Sequence, residues 1–333
     1  MRVLYAIQGT GNGHLSRARA LVPELLRHDI HLDLLVSGIQ SDIPLPFPVK
    51  YQYHGVSFIF GKQGGVDLWE TYRQTQTFRV QKEIRNLPVS DYDLVLNDFE
   101  PISAWACKWK GVPCIGVSHQ AAVLCEAAPK PEKIDLLGQL ILKRYAPVTA
   151  QFGFHFQAYA PGIYTPVIRQ GIRQAVVTDK GHFTVYLPAY SDTRILSVLS
   201  QFPNIQWHVF SKHGKQSYQK GRIHVQPVSN EAFITSITQC SGVLCAAGFE
   251  TPSEALFMGK KLCVVPMRNQ YEQQCNAAAL AEMGVLVLDR LDDTALRSLH
   301  AWLQAEPLPR MEYPDVAPVV VDRILETQVS QAV

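Results

Sequence analysis

The sequence predicts an α/β protein that folds as two doubly wound parallel-sheet domains. Strand-like and helix-like segments alternate along almost the whole chain, which is typical of open parallel sheets covered by helices. Between residues 145 and 180 this alternation is interrupted by Pro147, Pro161, Pro166 and Gly171, and a domain junction is expected at such a break. With 333 residues, of which 47% are hydrophobic, the chain is long enough to bury two cores.

The first domain is predicted over residues 1–165. Short apolar runs bounded by polar or turn residues predict the strands RVLYAIQ, IHLDLLVS, VKYQYHG, DLVLNDF and PCIGVSH. Between them, apolar residues at helical spacing predict the helices LSRARALVPELLRHD and PISAWACKWKG. A long polar helix is also expected from about residue 67 to residue 87. Together these elements predict one open sheet.

The second domain is predicted over residues 166–315 by a similar series. Strands are expected at HFTVYL, IQWHVFS, RIHVQPV, GVLCAA, KLCVVP and VLVLD. Helices are expected at residues 192–201, NEAFITSITQC and DDTALRSLHAWLQ. The final segment, residues 316–333, is amphipathic in its first part and predicts a separate helix. Two such Rossmann-like domains would bind ligands beyond the carboxyl ends of their strands, in the cleft between them.

Composition narrows the class of protein. The formal net charge of +2 gives no argument for nucleic acid as a partner. The seven cysteines include no CxxC pair, so buried free thiols in a reducing compartment are expected. The N-terminus predicts a strand and not a signal peptide, and no apolar run approaches the ~18 residues of a spanning helix. A cytoplasmic protein is therefore expected.

The most informative segment is residues 246–276, AAGFETPSEALFMGKKLCVVPMRNQYEQQCN. It predicts a strand, a turn at Gly248 and a helix that opens near Thr251. Glycine permits a tight turn, and the N–H groups at the start of a helix attract an anion such as a phosphate. Thr251 and Ser253 add hydroxyl donors, and Glu254 can accept from a vicinal diol such as a ribose. The alternative is a purely structural turn, because many such turns bind nothing.

A glycine-rich loop, Gly9-Thr10-Gly11-Asn12-Gly13-His14, follows the first predicted strand. A dinucleotide fingerprint would need a glycine where His14 stands and an acidic residue after the second strand, so NAD is not expected. The glycines leave the backbone open to a substrate. A neutral His14 at this place is a candidate general base for a sugar hydroxyl, and the alternative is a residue that only caps the helix.

The block around Gly248 resembles the nucleotide-sugar signature of GT-B glycosyltransferases. In that signature a glycine is followed six residues later by glutamate, then by another glycine, an apolar strand ending in proline, and a glutamine three residues before an asparagine. The matching residues here are Gly248, Glu254, Gly259, Pro266, Gln273 and Asn276. The segment from Gly248 to Glu254 is similar to glycosyltransferase family 28, which includes the peptidoglycan N-acetylglucosaminyltransferase. Plant-type enzymes carry a histidine where this chain has Ala246.

The resemblance implies a GT-B fold, in which a C-terminal helix crosses back onto the first domain. It also implies a donor site formed by Gly248, Phe249, Thr251, Ser253, Glu254, Glu272, Gln273 and Val228, with Phe233 as a packing surface for the base. The donor diphosphate would be neutralised by the helix start with Lys212 or Arg268, since no DxD motif or metal-ligand cluster appears. No metal or other cofactor is therefore expected, and UDP is the favoured nucleotide.

The resemblance also implies catalytic residues in the first domain. Enzymes of families 1 and 28 share a glycine-rich loop ending in histidine, which matches His14 as the catalytic base, and a later acidic residue orients that histidine. Asp98 is the favoured match and Glu100 the alternative, and either carboxylate could instead cap the following helix. The residues expected on the acceptor side are Gly11, Asn12, Gly13, Glu100 and His119.

The predicted activity is an inverting, metal-independent transfer of a sugar from a nucleoside diphosphate to an acceptor hydroxyl. The acceptor could be lipid-linked, a cell-envelope glycan or a small molecule. Residues 133–145 mix leucines with Lys143 and Arg144, which predicts an ordinary core-facing helix or, as the less favoured interpretation, contact with the inner face of a membrane. The alternative functions are a nucleotide-sugar hydrolase or epimerase of the same fold, and a sugar-nucleotide sensor without catalysis.

Overall fold

Two seven-stranded sheets organise the computed structural model, which describes residues 1–10, 12–38, 45–55, 59–60, 66–67, 77–133 and 135–331. The central strands of both sheets consist almost entirely of buried residues. Strands of this kind occur in parallel sheets that helices cover on both faces. The α/β class predicted from the alternation of apolar runs is therefore confirmed.

The first sheet lies in the N-terminal part of the chain. The strands described there are β1 (Arg2–Gln8), β2 (His31–Ser37), β3 (Tyr51–Tyr53), β4 (Ile59–Phe60), β5 (Val66–Asp67), β6 (Leu94–Asp98), β7 (Cys114–Ser118), β8 (Ala150–Phe154) and β9 (Ile163–Tyr164). Seven of them form a parallel sheet in the order β3-β2-β1-β6-β7-β8-β9, while β4 and β5 form a separate antiparallel pair. The described helices are Gly13–Leu25, Thr77–Asn86, Pro101–Lys110, His119–Val123 and Leu136–Tyr145, with a 3-10 turn at Val89–Asp91.

The second sheet follows in the chain. Its strands are β10 (His182–Tyr186), β11 (Gln206–Ser211), β12 (Tyr218–Lys220), β13 (Ile223–Pro227), β14 (Gly242–Ala246), β15 (Lys261–Val265) and β16 (Leu286–Val287). Their order is β12-β13-β11-β10-β14-β15-β16, and only the pairing of β12 with β13 is antiparallel. The described helices are Gln170–Arg173, Asp192–Leu199, Asn230–Gln239, Glu250–Phe257, Tyr271–Glu282, Leu296–Gln304 and Ala317–Gln331, with a 3-10 turn at Asp293–Ala295.

Both sheets reverse their strand order at a central pair of strands, β1 beside β6 in the first sheet and β10 beside β14 in the second. At such a reversal a crevice opens at the carboxyl ends of the strands, where ligands of doubly wound sheets bind. The register places Ile7 opposite Asp98 in the first sheet and Tyr186 opposite Cys245 in the second. The segments that follow these residues form the candidate site.

Few charged groups lie inside the protein. Among the described residues, the buried Lys, Arg, Asp and Glu side chains are Arg17, Asp98, Glu100, Glu254 and Lys260. Burying a charge is costly unless the charge is paired. Lys260 donates to the carbonyl oxygens of Thr178 and Cys240, both at 2.6 Å, and so has a structural role. Of the other four, Asp98 and Glu100 lie at or just after the end of β6. Arg17 and Glu254 lie in the helices that follow β1 and β14, so all four can serve a site at the carboxyl ends of the strands.

The last described helix supports the first one. Ala317–Gln331 packs on Gly13–Leu25, and its residues Val320, Val321 and Ile324 are buried in the same hydrophobic core that holds the inner face of the first helix. This contact fixes the helix that starts beside the glycine-rich loop.

Several elements differ from the prediction. Asp67 lies in β5, and the described helix that follows begins at Thr77, where one helix was predicted from about residue 67. The strands β8, β9 and β12 were not predicted, because they are two to five residues long and contain only two buried residues, Gly153 and Phe154, both in β8, which leaves little apolar pattern. The predicted boundary at residues 165–166 falls between the last strand of the first sheet and the first strand of the second. None of the described helices combines the length and hydropathy of a transmembrane span.

Candidate active site in the cleft between the sheets

A cleft opens where the carboxyl ends of the two sheets meet, and its walls come from both halves of the chain. The loop after β1, the connection between the sheets, and the ends of β10 and β14 all contribute to it. The predicted site residues that line the cleft are Asn12, Gly13, His14, Val228, Gly248, Phe249, Thr251, Glu254, Glu272 and Gln273. Gly11 lies outside the described residues.

His14 is the second residue of the helix Gly13–Leu25 and lies in the wall of the cleft. Its Nδ1 atom is 2.7 Å from Oδ1 of Asp98, at the end of β6. Burial raises the pKa of Asp98, but Arg17 and His14 outweigh burial, and the net pKa shift of this carboxyl is downward. Ionised Asp98 can only accept, so the proton of a neutral His14 resides on Nδ1. Nε2 is then the nitrogen that can take up a proton.

Arg17 binds the same carboxylate and was not found from the sequence. It donates from Nε to Asp98 Oδ2 at 2.9 Å and from Nη2 to Asp98 Oδ1 at 2.8 Å. Its third nitrogen, Nη1, lies 2.8 Å from Oε1 of Glu250. Arg17 follows His14 by three residues, a spacing that puts two side chains on one face of a helix. That spacing was visible in the sequence, but the two carboxylate partners were not.

Glu100, the alternative orienting acid, has a different task. Its carboxylate accepts from the backbone N–H groups of Ile102 and Ser103 at 2.7 and 2.6 Å and so caps the helix that follows. Phe99, between the two acids, has a φ of 55°, a left-handed conformation that is unfavourable for a bulky residue. This turn sends Asp98 and Glu100 to separate partners. The prediction that Glu100 lies on the acceptor side is therefore wrong.

The turn at Gly248 leads into the helix Glu250–Phe257. A Cβ atom built on Gly248 would meet nothing within 4 Å, so its backbone borders open space. The side chain of Phe249, at the N-cap position, makes no capping hydrogen bond to this helix, and Thr251 in its first turn lines the cleft. The N–H groups and the positive end of the helix dipole are thus left for an anion.

Ser253, on the same helix, does not serve the cleft. It is buried, and its hydroxyl donates to the carbonyl oxygen of Phe249 at 2.7 Å. Hydroxyl groups of serine commonly bond back to the preceding helical turn in this way. The predicted phosphate contact of Ser253 is therefore wrong. Phe249 itself reaches the cleft wall, but its ring stacks on His119 with the ring centroids 4.0 Å apart.

His119 lies inside the protein and not on the acceptor side. Its Nδ1 is 2.7 Å from the carbonyl oxygen of Phe154, and its Nε2 is 2.7 Å from Oδ1 of Asn276. Burial lowers the pKa of His119, although nearby Glu272 opposes that shift. Because the residue is 1% exposed and both nitrogens are engaged, the predicted acceptor contact is wrong. His119 instead joins the first sheet to the helix Tyr271–Glu282.

Glu254 lies in the second turn of the helix after Gly248 and lines the cleft. Arg169, on the connection between the sheets, donates to its two oxygens from Nε at 2.5 Å and from Nη2 at 2.7 Å. Nη1 of Arg169 donates to Oδ1 of Asn230 at 2.8 Å. Burial disfavours the charge of Arg169, but Glu254 outweighs it and the pKa of the guanidinium is raised. Arg169 was missed because it belongs to no motif.

The helix Tyr271–Glu282 begins with two predicted donor residues. Glu272 accepts from Nε2 of Gln120 at 2.8 Å, which ties the start of this helix to the first half of the chain. Gln273 accepts through Oε1 from the backbone N–H of Met267 at 3.0 Å. These bonds fix the carboxylate and the amide at the edge of the cleft, where both side chains line it.

The other predicted residues divide between the cleft and the surface. Val228, Lys212 and Phe233 line the cleft, and Phe233 is 9% exposed and packs edge-on against Phe210. Arg268 is exposed and does not belong to the described wall of the cleft. Within the described part of the chain, no group of three or more His, Cys, Asp or Glu side chains is arranged to hold a metal ion.

The helix Leu136–Tyr145 agrees only in part with its favoured interpretation as a core-facing helix. None of its residues is buried, although Leu142 packs against a small cluster formed by Val123, Tyr271 and Cys275. Its exposed apolar side chains, which we call the leucine face, are Leu136, Leu137 and Leu140, with 74%, 59% and 44% of their surface exposed. Lys143 and Arg144 follow in the last turn. This face has the composition of a surface that contacts a partner or a membrane.

Comparisons with known proteins place this geometry in a family. A model of glycosyl transferase family 1 matches residues 1–307. No curated protein matches the sequence at a significant level. MurG of Acinetobacter baumannii is similar in structure, with 13% identity and a TM-score of 0.56, over 98% of this chain and 99% of its own. A UDP-glucosyltransferase of Polygonum tinctorium shows 15% identity and a TM-score of 0.58 over 99% of this chain and 94% of its own.

A third similar structure is UGT71G1 of Medicago truncatula, complexed with UDP-glucose, with 11% identity and a TM-score of 0.54 over 100% of this chain and 94% of its own. At such low identity the structural likeness shows the fold, which is GT-B as predicted. The family model spans most of the chain. The protein is therefore a glycosyltransferase that belongs to glycosyl transferase family 1.

Proposed function

We propose that this glycosyltransferase moves a sugar from a nucleoside diphosphate donor, with UDP favoured, to an acceptor hydroxyl by an inverting mechanism that needs no metal ion. His14 is the base. The observation that carries this proposal is the 2.7 Å contact between His14 Nδ1 and Asp98. The imidazole of His14 lines the same cleft as the start of the helix Glu250–Phe257, which has no capping bond from its N-cap side chain. A base and an anion site in one cleft match what such a transfer needs.

In the proposed reaction, Nε2 of His14 removes the proton of the acceptor hydroxyl as its oxygen attacks the anomeric carbon of the sugar. A bond forms between that oxygen and that carbon. The bond from the carbon to the diphosphate oxygen breaks, and the diphosphate leaves with the electron pair. Asp98 stabilises the imidazolium that results. Because attack comes from the side opposite the leaving group, the configuration at the anomeric carbon inverts.

The leaving diphosphate is stabilised by the second half of the chain. The start of the helix Glu250–Phe257 offers N–H groups and the positive end of its dipole. The hydroxyl of Thr251 and the ammonium group of Lys212 lie in the same wall of the cleft. In this proposal these groups supply the charge compensation that developing negative charge requires.

The donor occupies the same wall. Glu254 accepts from the ribose hydroxyls, the backbone near Val228 contacts the base, and Glu272 and Gln273 contact sugar hydroxyls. All four residues line the cleft. UDP is favoured because the similar structures include a UDP-glucosyltransferase and a complex with UDP-glucose.

Calorimetric titration with UDP, dTDP, GDP and ADP tests the donor site. We expect one nucleotide to bind wild type and to lose affinity in Glu254→Ala. The base is tested with His14→Gln, which should bind that nucleotide normally while transfer falls by about 10²–10⁴-fold. Arg27→Lys, in the turn after the helix Gly13–Leu25, where the side chain is 72% exposed, is the control and should match wild type. Failure of every nucleotide to bind wild type would refute the donor site.

A nucleotide-sugar hydrolase would use the same His14 to activate water, so the test must separate the two reactions. Sugar release is measured with and without a mixture of acceptors, by mass spectrometry of the products. Transfer predicts that glycosylated acceptor appears and that release to water is slow. If the sugar were released at the same rate without acceptor, the protein would be a hydrolase and the proposed transfer reaction would be refuted.

The acceptor side supports a lipid-linked acceptor as a further part of the proposal. A second cavity is lined by Phe99, Gln120, Leu142 and Lys143, among others, and the ring of Phe99 is parallel to that of His14 with centroids 6.5 Å apart. The helix Leu136–Tyr145 therefore lines this cavity on one side and exposes its leucine face on another. A leucine face next to basic residues suits an anionic membrane surface.

Sedimentation with vesicles of phosphatidylcholine and phosphatidylglycerol tests this contact. Wild type should pellet with the vesicles, and the double variant Leu136→Ser, Leu137→Ser should remain in the supernatant. Val176→Ser is the matched control, because Val176 is 81% exposed but lies outside the leucine face. Equal pelleting of all three proteins would contradict a role of this helix.

A further inference from the structure

The Arg17 guanidinium lies between the two halves of the active site. Its side chain is 3% exposed, yet it binds Asp98 from the first half and Glu250 from the second at distances of 2.8 to 2.9 Å. Burial disfavours its charge, but Asp98 and Glu250 outweigh burial and raise the pKa of Arg17. Arg17 is therefore permanently charged. Removing Asp98 or Glu250 would leave part of this buried positive charge without a compensating carboxylate.

Asp98 depends on Arg17 for its charge. The carboxyl is completely buried, and burial alone would favour the neutral acid. Arg17 is the strongest influence that opposes burial. Because it holds both carboxylate oxygens, Arg17 also sets the rotation of the carboxylate plane. Its Nη2 and the Nδ1 of His14 lie 2.8 and 2.7 Å from the same oxygen, Oδ1. The direction of the imidazole therefore follows from the position of the guanidinium.

Glu250 carries the connection to the donor side. It is the first residue of the helix Glu250–Phe257, and a Cβ atom added to Gly13 would overlap Oε2 of Glu250. Gly13 directly precedes His14, so the carboxylate of Glu250 touches the loop that carries the base. Glu250 lines the cleft, while Arg17 lies behind it. One guanidinium thus joins the base to the helix start.

We propose that Arg17 is a positioning residue for both partners of the reaction. It holds Asp98 ionised in the orientation that His14 needs, and through Glu250 it fixes the distance between the base and the donor helix. The role assigned to each end rests on the proposed function, in which His14 is the base and the helix binds the diphosphate. Lysine cannot replace Arg17, because a single nitrogen cannot hold both oxygens of one carboxylate and reach a second.

The substitution Arg17→Lys tests the link to His14. We expect kcat to fall about 100-fold while the dissociation constant of the bound nucleoside diphosphate stays within about threefold of wild type. Nitrogen NMR of the imidazoles, with the His14 signal assigned from His14→Gln, should show neutral His14 protonated on Nδ1 in wild type and a tautomer mixture in Arg17→Lys. Arg27→Lys should match wild type in all three measurements.

Two outcomes of that experiment would overturn the proposal. Arg17→Lys could retain wild-type kcat, or it could lose kcat while the tautomer of His14 stays unchanged, which would indicate a purely structural loss. The NMR measurement needs no substrate. If wild type neither binds a nucleotide nor transfers a sugar, the proposed function fails, and the tautomer change alone still decides whether Arg17 positions His14.

The substitution Glu250→Gln tests the contact between Arg17 and the donor helix. It also keeps the proposal testable if Arg17→Lys does not fold. Removing the carboxylate charge takes a negative charge from beside the phosphates, so nucleoside diphosphate should bind several-fold more tightly. At the same time kcat should fall about tenfold, because Arg17 holds the helix start less firmly. If nucleotide binding and kcat both fell, the variant would have a general structural defect. That result, or an unchanged kcat, would refute the proposal that Arg17 and Glu250 connect the base to the donor helix. Glu306→Gln, at an exposed position, is the control and should change neither.

Discussion

Arg169 holds both carboxylate oxygens of Glu254, at 2.5 and 2.7 Å, and is itself held by Asn230 at 2.8 Å. Each carboxylate oxygen has two lone pairs, so this pair leaves acceptor capacity for a ligand in the cleft that Glu254 lines. The acid proposed to bind a ribose is thus fixed in position before any ligand arrives, and a fixed group costs less entropy when it binds.

We expect Arg169→Lys to weaken discrimination between UDP and 2′-deoxy-UDP. Lysine keeps the charge but cannot hold Glu254 at two points, so the acid loses its fixed orientation toward the ribose hydroxyls. A hydrogen bond to a charged group contributes about 1.5–3 kcal/mol, and wild type should prefer UDP by a corresponding factor. Calorimetry of both nucleotides measures the preference. An unchanged preference in Arg169→Lys would contradict this role.

The two neighbouring acids should respond differently to substitution. Asp98→Asn leaves His14 without an ionised partner and should lower kcat of the folded protein strongly. It should also lower stability, because the buried Arg17 guanidinium loses one of its two carboxylate partners. Glu100→Ala removes the cap of the next helix and should destabilise the protein by at least about 1–2 kcal/mol, with kcat of the folded protein close to wild type. Denaturant titration and steady-state kinetics separate the two effects. A larger kcat loss in Glu100→Ala would reverse the assignment.

Two glycine substitutions are expected to affect different steps of the reaction. In Gly13→Ala the new Cβ overlaps the carboxylate of Glu250, the mobile end of a flexible side chain, so the carboxylate should move away from Arg17 and kcat should fall with little change in thermal stability. In Gly248→Ala the new Cβ meets no protein atom within 4 Å, so stability should remain while nucleoside diphosphate binding weakens, because the methyl group occupies the phosphate side of the turn. Gly171→Ala, which makes only an ordinary contact with Ile234, is the control.

Acid should destabilise the second sheet through its stacked histidines. Burial, followed by the neighbouring His182 and His224, lowers the pKa of His208 to about 4, whereas an unfolded histidine titrates near pH 6.5. Between these values the unfolded chain binds more protons, so stability falls as pH drops from about 6.5 to about 4. Denaturant midpoints at a series of pH values measure the slope. His208→Gln should reduce this slope, the remainder coming from other buried histidines such as His155, whose pKa burial lowers to about 2. His31→Gln, at an exposed position, should leave the slope unchanged.

The parts of the site that lie in one contiguous segment could be predicted from the sequence. The turn at Gly248 with Glu254, and the loop ending at His14, are short patterns whose residues line the cleft as a group. Their chemistry follows from the local geometry of a strand, a glycine and a helix start. The alternation of apolar runs predicted the two sheets for the same reason, since each run is local.

The partners that hold these residues could not be predicted. Arg17 meets Asp98 across 81 residues and Glu250 across 233, and Arg169 meets Glu254 across 85. No local pattern encodes such contacts. The sequence also could not show whether Asp98 or Glu100 contacts His14, because the left-handed backbone conformation of Phe99, which lies between them, decides it.

Some local patterns predicted the wrong surroundings. His119 directly follows a strand, as a ligand-binding residue often does, but Asn276, from 157 residues further along, forms a hydrogen bond with it inside the protein. The helix Leu136–Tyr145 has an amphipathic pattern, yet none of its residues is buried. An amphipathic pattern indicates that one face of a helix is apolar, but it does not distinguish packing on the protein core from contact with a partner or a membrane.

The packing of the last helix on the first sets the order in which the active site can form during synthesis. The loop with His14 leaves the ribosome early, whereas Val320, Val321 and Ile324, which complete the core around its helix, follow about 300 residues later. At about 5–20 residues per second this delay is roughly 15–60 s. A nascent chain therefore contains His14 and the turn at Gly248 before the helix that packs on the first one has been made, so the first helix is packed as in the finished protein only at the end of synthesis.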